Sequence, residues 1–202
     1  IHAVTTSPDF HCHNASMFFG IPFEQLYDVL NKKKLNKLIR DIAKRVNHGA
    51  NYNMGWQVLW ETMGTKEVLM AKTLLRLPPA MSIRAVCEYL LQCFDKTYPV
   101  IRGPWYNSII SEISRTGMLV TPTGYTRRTF LQPHKSKMQL NSAVAHKPQS
   151  TSNDLVEQAF MIVWKELQMK KYYGKFRLKA PIHDEIVFQA TQDVIEQALE
   201  DV

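Results

Sequence analysis

Cysteine is scarce in this sequence, and several other features are missing altogether. The three cysteines, Cys12, Cys87 and Cys93, are odd in number and irregularly spaced, which argues against a disulfide framework and favours a reducing, cytoplasmic compartment. No apolar run approaches the roughly 20 residues of a membrane helix, so we expect neither a membrane span nor a membrane partner. The chain starts at Ile1 without an initiator Met or a secretory leader, which predicts an internal segment of a longer protein.

Acidic residues are outnumbered by basic ones. There are 18 acidic residues against 25 lysines and arginines, and the resulting formal net charge of +7 favours an anionic partner such as nucleic acid. Hydrophobic residues make up 45% of the 202 positions, which is enough to bury a sizeable core and argues against disorder.

The spacing of apolar residues, rather than any repeat or low-complexity stretch, divides the chain. Up to about residue 115 the spacing is helical, as in the stripe formed by Ile83, Val86, Cys87, Leu90, Leu91 and Phe94. From residue 118 the pattern predicts a short hairpin, with strands at 118–121 and 129–131 around the turn-rich residues 122–125. The sequence therefore predicts a helical region followed by mixed α and β structure.

The rest of the chain is expected to form a connector, a helix, a hairpin and a final helix. A polar connector is predicted from residue 132 to about 147, after which Thr151 and Asp154 resemble a helix-start box. A helical stripe follows, made of Leu155, Ala159, Val163 and Leu167. Strand-like runs at 176–180 and 186–188 place the acidic residues between them at a hairpin tip. Thr191 or Asp193 is predicted to cap the last helix.

Four residues spaced four apart form the first candidate site: Arg40, Lys44, His48 and Tyr52. On a helix, each step of four residues advances by about 400°, so the four side chains share one slowly rotating stripe. Two cations at one end and two rings at the other suit a ligand with phosphates and a flat base, which is a nucleoside triphosphate. The alternative interpretation is a solvated basic face whose rings pack on the core.

The second candidate site is the triplet His183-Asp184-Glu185, which lies between the two strand-like runs. A carboxylate on a rigid hairpin suits Mg²⁺, which takes one or two protein carboxylates and leaves its other positions to phosphates and water. The alternative interpretation is a solvated turn, because short motifs also occur by chance.

The first candidate site resembles the fingers-helix motif of the family A, or DNA polymerase I-like, DNA polymerases. That motif is Arg-x-x-x-Lys-x-x-x-aromatic-x-x-x-Tyr, and the sequence from Arg40 to Tyr52 is similar to it. The chain has His48 where the family usually has Phe or Tyr, and Asn53 where the family usually has Gly. These departures, with other missing glycines, suggest a phage or viral branch and a phage-infected or bacterial host cell.

Further segments follow in the family's order. They are Asp9-Phe10-His11 with Phe19-Gly20-Ile21-Pro22, Phe94-Asp95-Lys96-Thr97-Tyr98-Pro99, Gly124 with Arg127-Arg128, residues 148–154, and the stretch around His183-Asp184-Glu185, which resembles the palm motif. The resemblance covers nearly the whole chain, with an apparent insertion around Lys32-Lys33-Lys34. A solvated loop is the ordinary interpretation of that lysine cluster, and contact with template phosphate is the alternative.

The resemblance implies an α+β fragment of a right-hand polymerase fold. Residues 1–115 would be a mostly helical fingers subdomain, and residues 116–202 a partial palm with a β-hairpin that carries the metal-binding Asp184. The implied function is template-directed DNA synthesis, with primer-template DNA and dNTP as partners.

The resemblance also implies a role for each candidate residue. His11, Arg40 and Lys44 would hold the triphosphate, with Lys44 acting in catalysis, while His48 and Tyr52 would lie against sugar and base. Asp184 would bind Mg²⁺ and Glu185 would support it. Contacts with DNA are implied for a third group: His183, Gln149, Arg127, Arg128 and Asn141.

Two-metal phosphoryl transfer needs a pair of carboxylates that hold ions about 4 Å apart. In the family the other carboxylate stands in an Asp-Tyr-Ser strand, which this chain does not contain, so we expect the chain alone to extend no primer. The remainder of the polymerase, namely a thumb, the rest of the palm and a possible exonuclease domain, would then be a partner. The alternatives are a fragment similar to single-subunit RNA polymerases and a non-catalytic nucleic-acid-binding subunit of a split polymerase. His11-Cys12-His13 is not expected to bind a metal, because neighbouring side chains on a helix diverge by about 100°.

Overall fold

The computed structural model describes residues 7–182 and 185–202, and the chain separates into two compact units, residues 1–108 and 109–202. Helices account for most of the described part of the first unit: α1 (Phe10–Phe19), α2 (Lys37–Asn51), α3 (Trp56–Met63), α4 (Thr65–Leu74) and α5 (Ile83–Thr97). A small antiparallel hairpin, β1 (Tyr27–Asp28) and β2 (Lys33–Lys34), stands between α1 and α2. The predicted helical character of this region is confirmed, whereas the hairpin was not predicted.

Short polar side chains begin the three helices that matter most for the site. Asp9 accepts a hydrogen bond from the Cys12 amide at 2.9 Å, and Asn36 accepts one from the amide three residues along at 3.2 Å. Ser82 caps α5 in the same way. These residues satisfy backbone donors that the first turn of a helix leaves unpaired, so each helix has a defined start.

The core of the first unit lies where α1, α2, α3 and α5 pack together. The stripe predicted on α5 is confirmed, since five of its six residues are buried and Ile83 is partly buried. α2 contributes Ile39, Ile42, Ala43, Val46 and Ala50. A π-helical turn, Ile101–Trp105, then leads into α6 (Tyr106–Thr116).

The second unit contains two hairpins and a long helix. Its elements after α6 are β3 (Met118–Val120), β4 (Thr126–Arg128), α7 (Lys137–Val163), a π-helical turn (Trp164–Lys171), β5 (Phe176–Ile182), β6 (Glu185–Ala190) and α8 (Ile195–Asp201). The hairpin predicted from residue 118 is confirmed as β3 and β4, but its second strand was predicted three residues too late. The Tyr125 carbonyl accepts a hydrogen bond from the Thr121 amide at 2.9 Å, and the Tyr125 amide donates to the Thr121 hydroxyl at 3.0 Å, so the turn closes early.

The prediction of a connector up to residue 147 and a helix start at Thr151 is wrong. α7 begins at Lys137, because Ser136 accepts a hydrogen bond from the Gln139 amide at 3.2 Å and caps it. Thr151 lies inside the helix, and its hydroxyl donates to the Lys147 carbonyl at 2.7 Å. The helix also continues through Pro148, although an internal proline removes a backbone donor.

The second hairpin packs one face on the end of α7, the π-helical turn and α8. Its core is formed by Val163, Leu167, Tyr172, Phe176 and Ala198, with Leu178, Ile186 and Phe188 against them. Of the stripe predicted on α7, Leu155 and Ala159 are exposed instead. The predicted caps of the final helix are also wrong: Val194 precedes it, and Asp193 pairs with Lys175 at 2.6 Å.

Across the part of the chain that the structure describes, no helix is both long enough and apolar enough to span a bilayer.

Candidate functional site

Three of the four residues in the predicted stripe lie within α2, and the fourth lies at its C-terminal end. Arg40, Lys44 and His48 lie on the face of α2 opposite the buried Ile42 and Val46. Tyr52 is the C-cap, with φ −108° and ψ 24°, so it has left the helical path. Its ring still meets the His48 ring edge to face, with the centroids 5.3 Å apart and the planes at 78°.

Arg40 forms an ion pair with Asp9, the residue that caps α1. Its Nε donates to both carboxylate oxygens of Asp9, at 3.0 Å and 2.9 Å, and the side chains are 15% and 8% exposed. Burial acts to raise the pKa of Asp9, but the Cys12 amide and the Arg40 guanidinium outweigh it and hold the pKa below its usual value. The two partners are 31 positions apart, and no local pattern in the sequence indicated this contact.

His11 lies in the first turn of α1, which packs against α2. Burial lowers the pKa of His11, and the positive charges of Arg40 and Lys44 lower it further. Its Nδ1 is buried and has no hydrogen-bond partner among the described residues. The structure therefore brings His11, Arg40 and Lys44 within electrostatic reach of one another, and it leaves His11 uncharged at neutral pH.

The end of α2 is held by residues that sequence reasoning missed. Tyr106 is buried, and its hydroxyl donates to the carbonyls of Ala50 and Asn51 at 3.2 Å and 3.0 Å. Burial raises the pKa of Tyr106 to about 12, so the hydroxyl keeps its proton. Asn53 has a φ of 60°, in the left-handed region where the family usually has glycine, and Arg102 lies 3.4 Å from its Oδ1.

In the second unit, two of the predicted DNA-binding residues line the same cavity. Gln149 on α7 and Arg127 on β4 border a cavity of about 430 Å³ with His146 and Ser150. Arg127 pairs with Leu119 across the hairpin and Arg128 with Met118, and adjacent strand residues point to opposite faces. Arg128 is exposed and does not line that cavity, while Asn141 is half-buried on α7.

Asp154 ties the turn of the first hairpin to α7. Its Oδ2 accepts hydrogen bonds from the hydroxyls of Thr121, at 3.1 Å, and Thr123. Nearby, His146 Nδ1 lies 3.1 Å from the Ser150 hydroxyl and 3.5 Å from Nη1 of Arg127. Burial and the charge of Arg127 lower the pKa of His146. The hairpin and helix thus form one polar cluster around the cavity.

The predicted metal site falls on the second hairpin. His183 and Asp184 lie outside the described residues. Glu185 opens β6, pairs with Ile182 and shares the exposed face of the strand with Val187 and Gln189. Among the residues described by the structure, no group of three or more His, Cys, Asp or Glu side chains is arranged to hold a metal ion.

Comparison with known proteins places the chain in a family. The model of a family described as DNA polymerase family A matches residues 1–202, and the chain belongs to that family. No curated protein sequence matches it.

Among solved structures, the fold is similar to the POL domain of Pol1 from M. smegmatis, determined in complex with DNA primer-template and dNTP. The TM-score is 0.68 at 16% sequence identity, over 95% of this chain and 30% of that one. The predicted α+β polymerase fold and the resemblance stated from the motifs are both confirmed. The chain spans less than a third of the matched structure's length.

Proposed function

We propose that this chain forms the fingers, residues 1–115, and part of the palm, residues 116–202, of a template-directed DNA polymerase. The complete enzyme would transfer a deoxynucleotide to a primer 3′-hydroxyl. The observation that carries the proposal is the grouping of His11, Arg40 and Lys44 beside the ring pair of His48 and Tyr52, in a chain of the family A polymerases.

The charges and rings of this grouping fit the two ends of a dNTP. Arg40 and Lys44 would bind the phosphates, and neutral His11 would donate a hydrogen bond to them. One helical turn or more further along α2, His48 and Tyr52 would contact the sugar and the base. Asp9 would orient Arg40, because it binds Nε. Nη1 of the same guanidinium donates to the Asp41 carboxylate at 3.3 Å, which holds the group from a second side.

The second unit would contact the primer-template. Gln149 and Arg127 border one cavity, and Arg128 and Asn141 would add contacts from the same hairpin and helix. Asp184, Glu185 and His183 would serve the primer end. A carboxylate oxygen donor set fits Mg²⁺, which when bound would neutralise charge on the triphosphate, and Asp184 would hold it with Glu185 beside it.

The nucleotide site can be tested on the 202-residue chain by calorimetric titration with a Mg²⁺–dNTP mixture. Lys44→Ala should weaken binding about tenfold, since it removes a charge from the phosphate end of the site. Lys66→Ala, which removes an exposed lysine of α4, is the matched control and should change binding less than about twofold. Equal affinities for the two variants would refute the assignment of Lys44.

The catalytic roles require a complete polymerase that carries this chain. Asp184→Asn should abolish turnover and leave DNA affinity nearly unchanged, because the amide keeps the shape but loses the charge. Lys44→Ala should lower kcat and raise KM for dNTP. Substantial turnover by Asp184→Asn, or primer extension by the isolated chain, would overturn the proposal, and equal use of NTP and dNTP would favour an RNA polymerase.

A further inference from the structure

The hairpin between α1 and α2, residues 27–34, is firmly anchored in the first unit. Leu26 is fully buried and Tyr27 is 7% exposed. The Leu35 amide donates to the Leu26 carbonyl at 2.9 Å, which extends the strand pairing by one step, and the Tyr27 ring lies 5.7 Å from that of Phe23. The two strands therefore project from the core at a fixed position.

Hydrogen bonds from Asp28 also fix the tip of this hairpin. One oxygen of its carboxylate accepts from the amides of Leu30, at 3.0 Å, and Asn31, at 3.1 Å, while the other accepts from the Asn31 side chain at 2.7 Å. Lys32 has a φ of 51°, in the left-handed region, and completes the turn. The ordered turn leaves Leu30 94% exposed and Val29 53% exposed. A partner that covers this apolar tip would remove it from water, which is energetically favourable.

Three consecutive lysines, Lys32, Lys33 and Lys34, stand at the base of this tip. All are exposed, and none forms a salt bridge with any residue that the structure describes. The carboxylate of Asp28, on the same hairpin, is hydrogen-bonded to the turn and interacts electrostatically with Lys33. Three lysines against this one carboxylate leave residues 27–34 with a net charge of +2 beside an apolar tip.

We propose that the hairpin of residues 27–34 binds single-stranded nucleic acid. Two of the three lysines would contact phosphates of one strand, since Lys33 and Lys34 point to opposite faces of β2. Val29 and Leu30 would lie against the faces of unstacked bases. A duplex offers the same phosphates, but its base faces are covered by stacking, so the tip would gain little there. This inference rests on the proposed function, in which a single-stranded template overhang is the natural occupant.

The test compares the binding of a labelled single strand and a labelled blunt duplex, each of about 20 nucleotides or base pairs, to the 202-residue chain over a range of salt concentrations. The double variant Val29→Ser/Leu30→Ser should weaken single-strand binding about fivefold and leave duplex binding unchanged. The triple variant Lys32→Ala/Lys33→Ala/Lys34→Ala should lower the single-strand salt slope by about 1.4, since each of two phosphate contacts contributes roughly 0.7. A charge-matched control replaces Lys66, Lys96 and Lys165, which are exposed elsewhere.

The outcomes separate this inference from the proposed function. If the unaltered chain binds neither DNA at low salt, the proposed nucleic-acid function fails, and the inference fails with it. If the chain binds but both hairpin variants bind like the control, the inference alone is wrong. Equal losses on single strand and duplex for the tip variant would also overturn it, because the tip would then not read exposed bases. Circular dichroism and the midpoint of thermal unfolding verify that each variant folds.

Discussion

Asp9 binds Arg40 and caps α1 with the same carboxylate. Nε of Arg40 lies 3.0 Å and 2.9 Å from the two carboxylate oxygens, while the Cys12 amide lies 2.9 Å from one of them. One side chain therefore begins the helix that carries His11 and orients the guanidinium on the next helix. The helix cap needs only a hydrogen-bond acceptor at position 9, whereas the ion pair with Arg40 needs a negative charge. Substitutions at position 9 can therefore separate the two contributions.

Asp9→Asn should keep the helix cap and lose the charge, whereas Asp9→Ala should lose both. We expect the first change to lower the free energy of unfolding at neutral pH by about 1–2 kcal/mol and the second by about 1 kcal/mol more. The pKa of Asp9 is lowered in the folded state, so its stabilisation is present above the usual value of 3.8 and is lost as pH falls through the folded pKa. Urea unfolding across this pH range should show wild type and Asp9→Asn converging at the acidic end, and a constant gap would contradict the ion pair.

His11 gives a second pH-dependent prediction. Burial and the charges of Arg40 and Lys44 lower its pKa, so a bound triphosphate, which offsets those charges, should raise it again. By linkage, triphosphate affinity should increase as pH falls through the pKa of His11 in the complex and should level off below its pKa in the free chain. NMR titration of His11 with and without Mg²⁺–dNTP measures both values. His11→Gln should remove the pH dependence, and an unchanged pKa in the complex would show that the phosphates lie elsewhere.

The sequence predicted best where one local pattern determines the structure. The stripe on α5 is buried as its spacing indicates, and four-residue steps placed Arg40, Lys44 and His48 on one face of α2. The prediction missed the start of α7 because polar and basic residues dominate 132–147, although Leu140, Ala143 and Val144 have helical spacing and the last two are buried. The cap at Ser136 depends on a single hydrogen bond. Contacts between distant residues, such as Asp9 with Arg40, come from helix packing and leave no mark on local spacing.

Substitutions of Asn53 test why this chain has asparagine where the family usually has glycine. Its φ of 60° is strained for most side chains, tolerated by asparagine and unstrained for glycine. Asn53→Ala should therefore lower stability by about 1 kcal/mol, while Asn53→Gly should stay within about 0.5 kcal/mol of wild type, because relief of strain offsets the lost contact with Arg102. Thermal unfolding measures both, with the exposed Asn107→Ala as a control. Equal losses for Ala and Gly would show that the side-chain contact, not the backbone, decides the residue.

Asp154 should control the susceptibility of the β3–β4 hairpin to protease. Its carboxylate binds the hydroxyls of Thr121 and Thr123 at the hairpin turn, and Arg127 and Arg128 on β4 are trypsin sites. Removing the carboxylate frees the turn from α7, so local opening should become more frequent and cleavage after these arginines faster. We expect Asp154→Ala to increase the initial cleavage rate about tenfold, as a loss of about 1.4 kcal/mol in local stability would do.

The neighbouring Glu157→Ala provides the matched control for this experiment. Glu157 borders the same cavity and accepts a hydrogen bond from Asn153 on its own helix, so it does not hold the hairpin. Thr121→Val, which removes one of the two hydroxyls and keeps the shape, should give an intermediate rate. Mass spectrometry of the first fragments identifies the bonds that are cut. If Asp154→Ala and Glu157→Ala are cleaved at equal rates after Arg127 and Arg128, the contact between Asp154 and the turn does not stabilise the hairpin in solution.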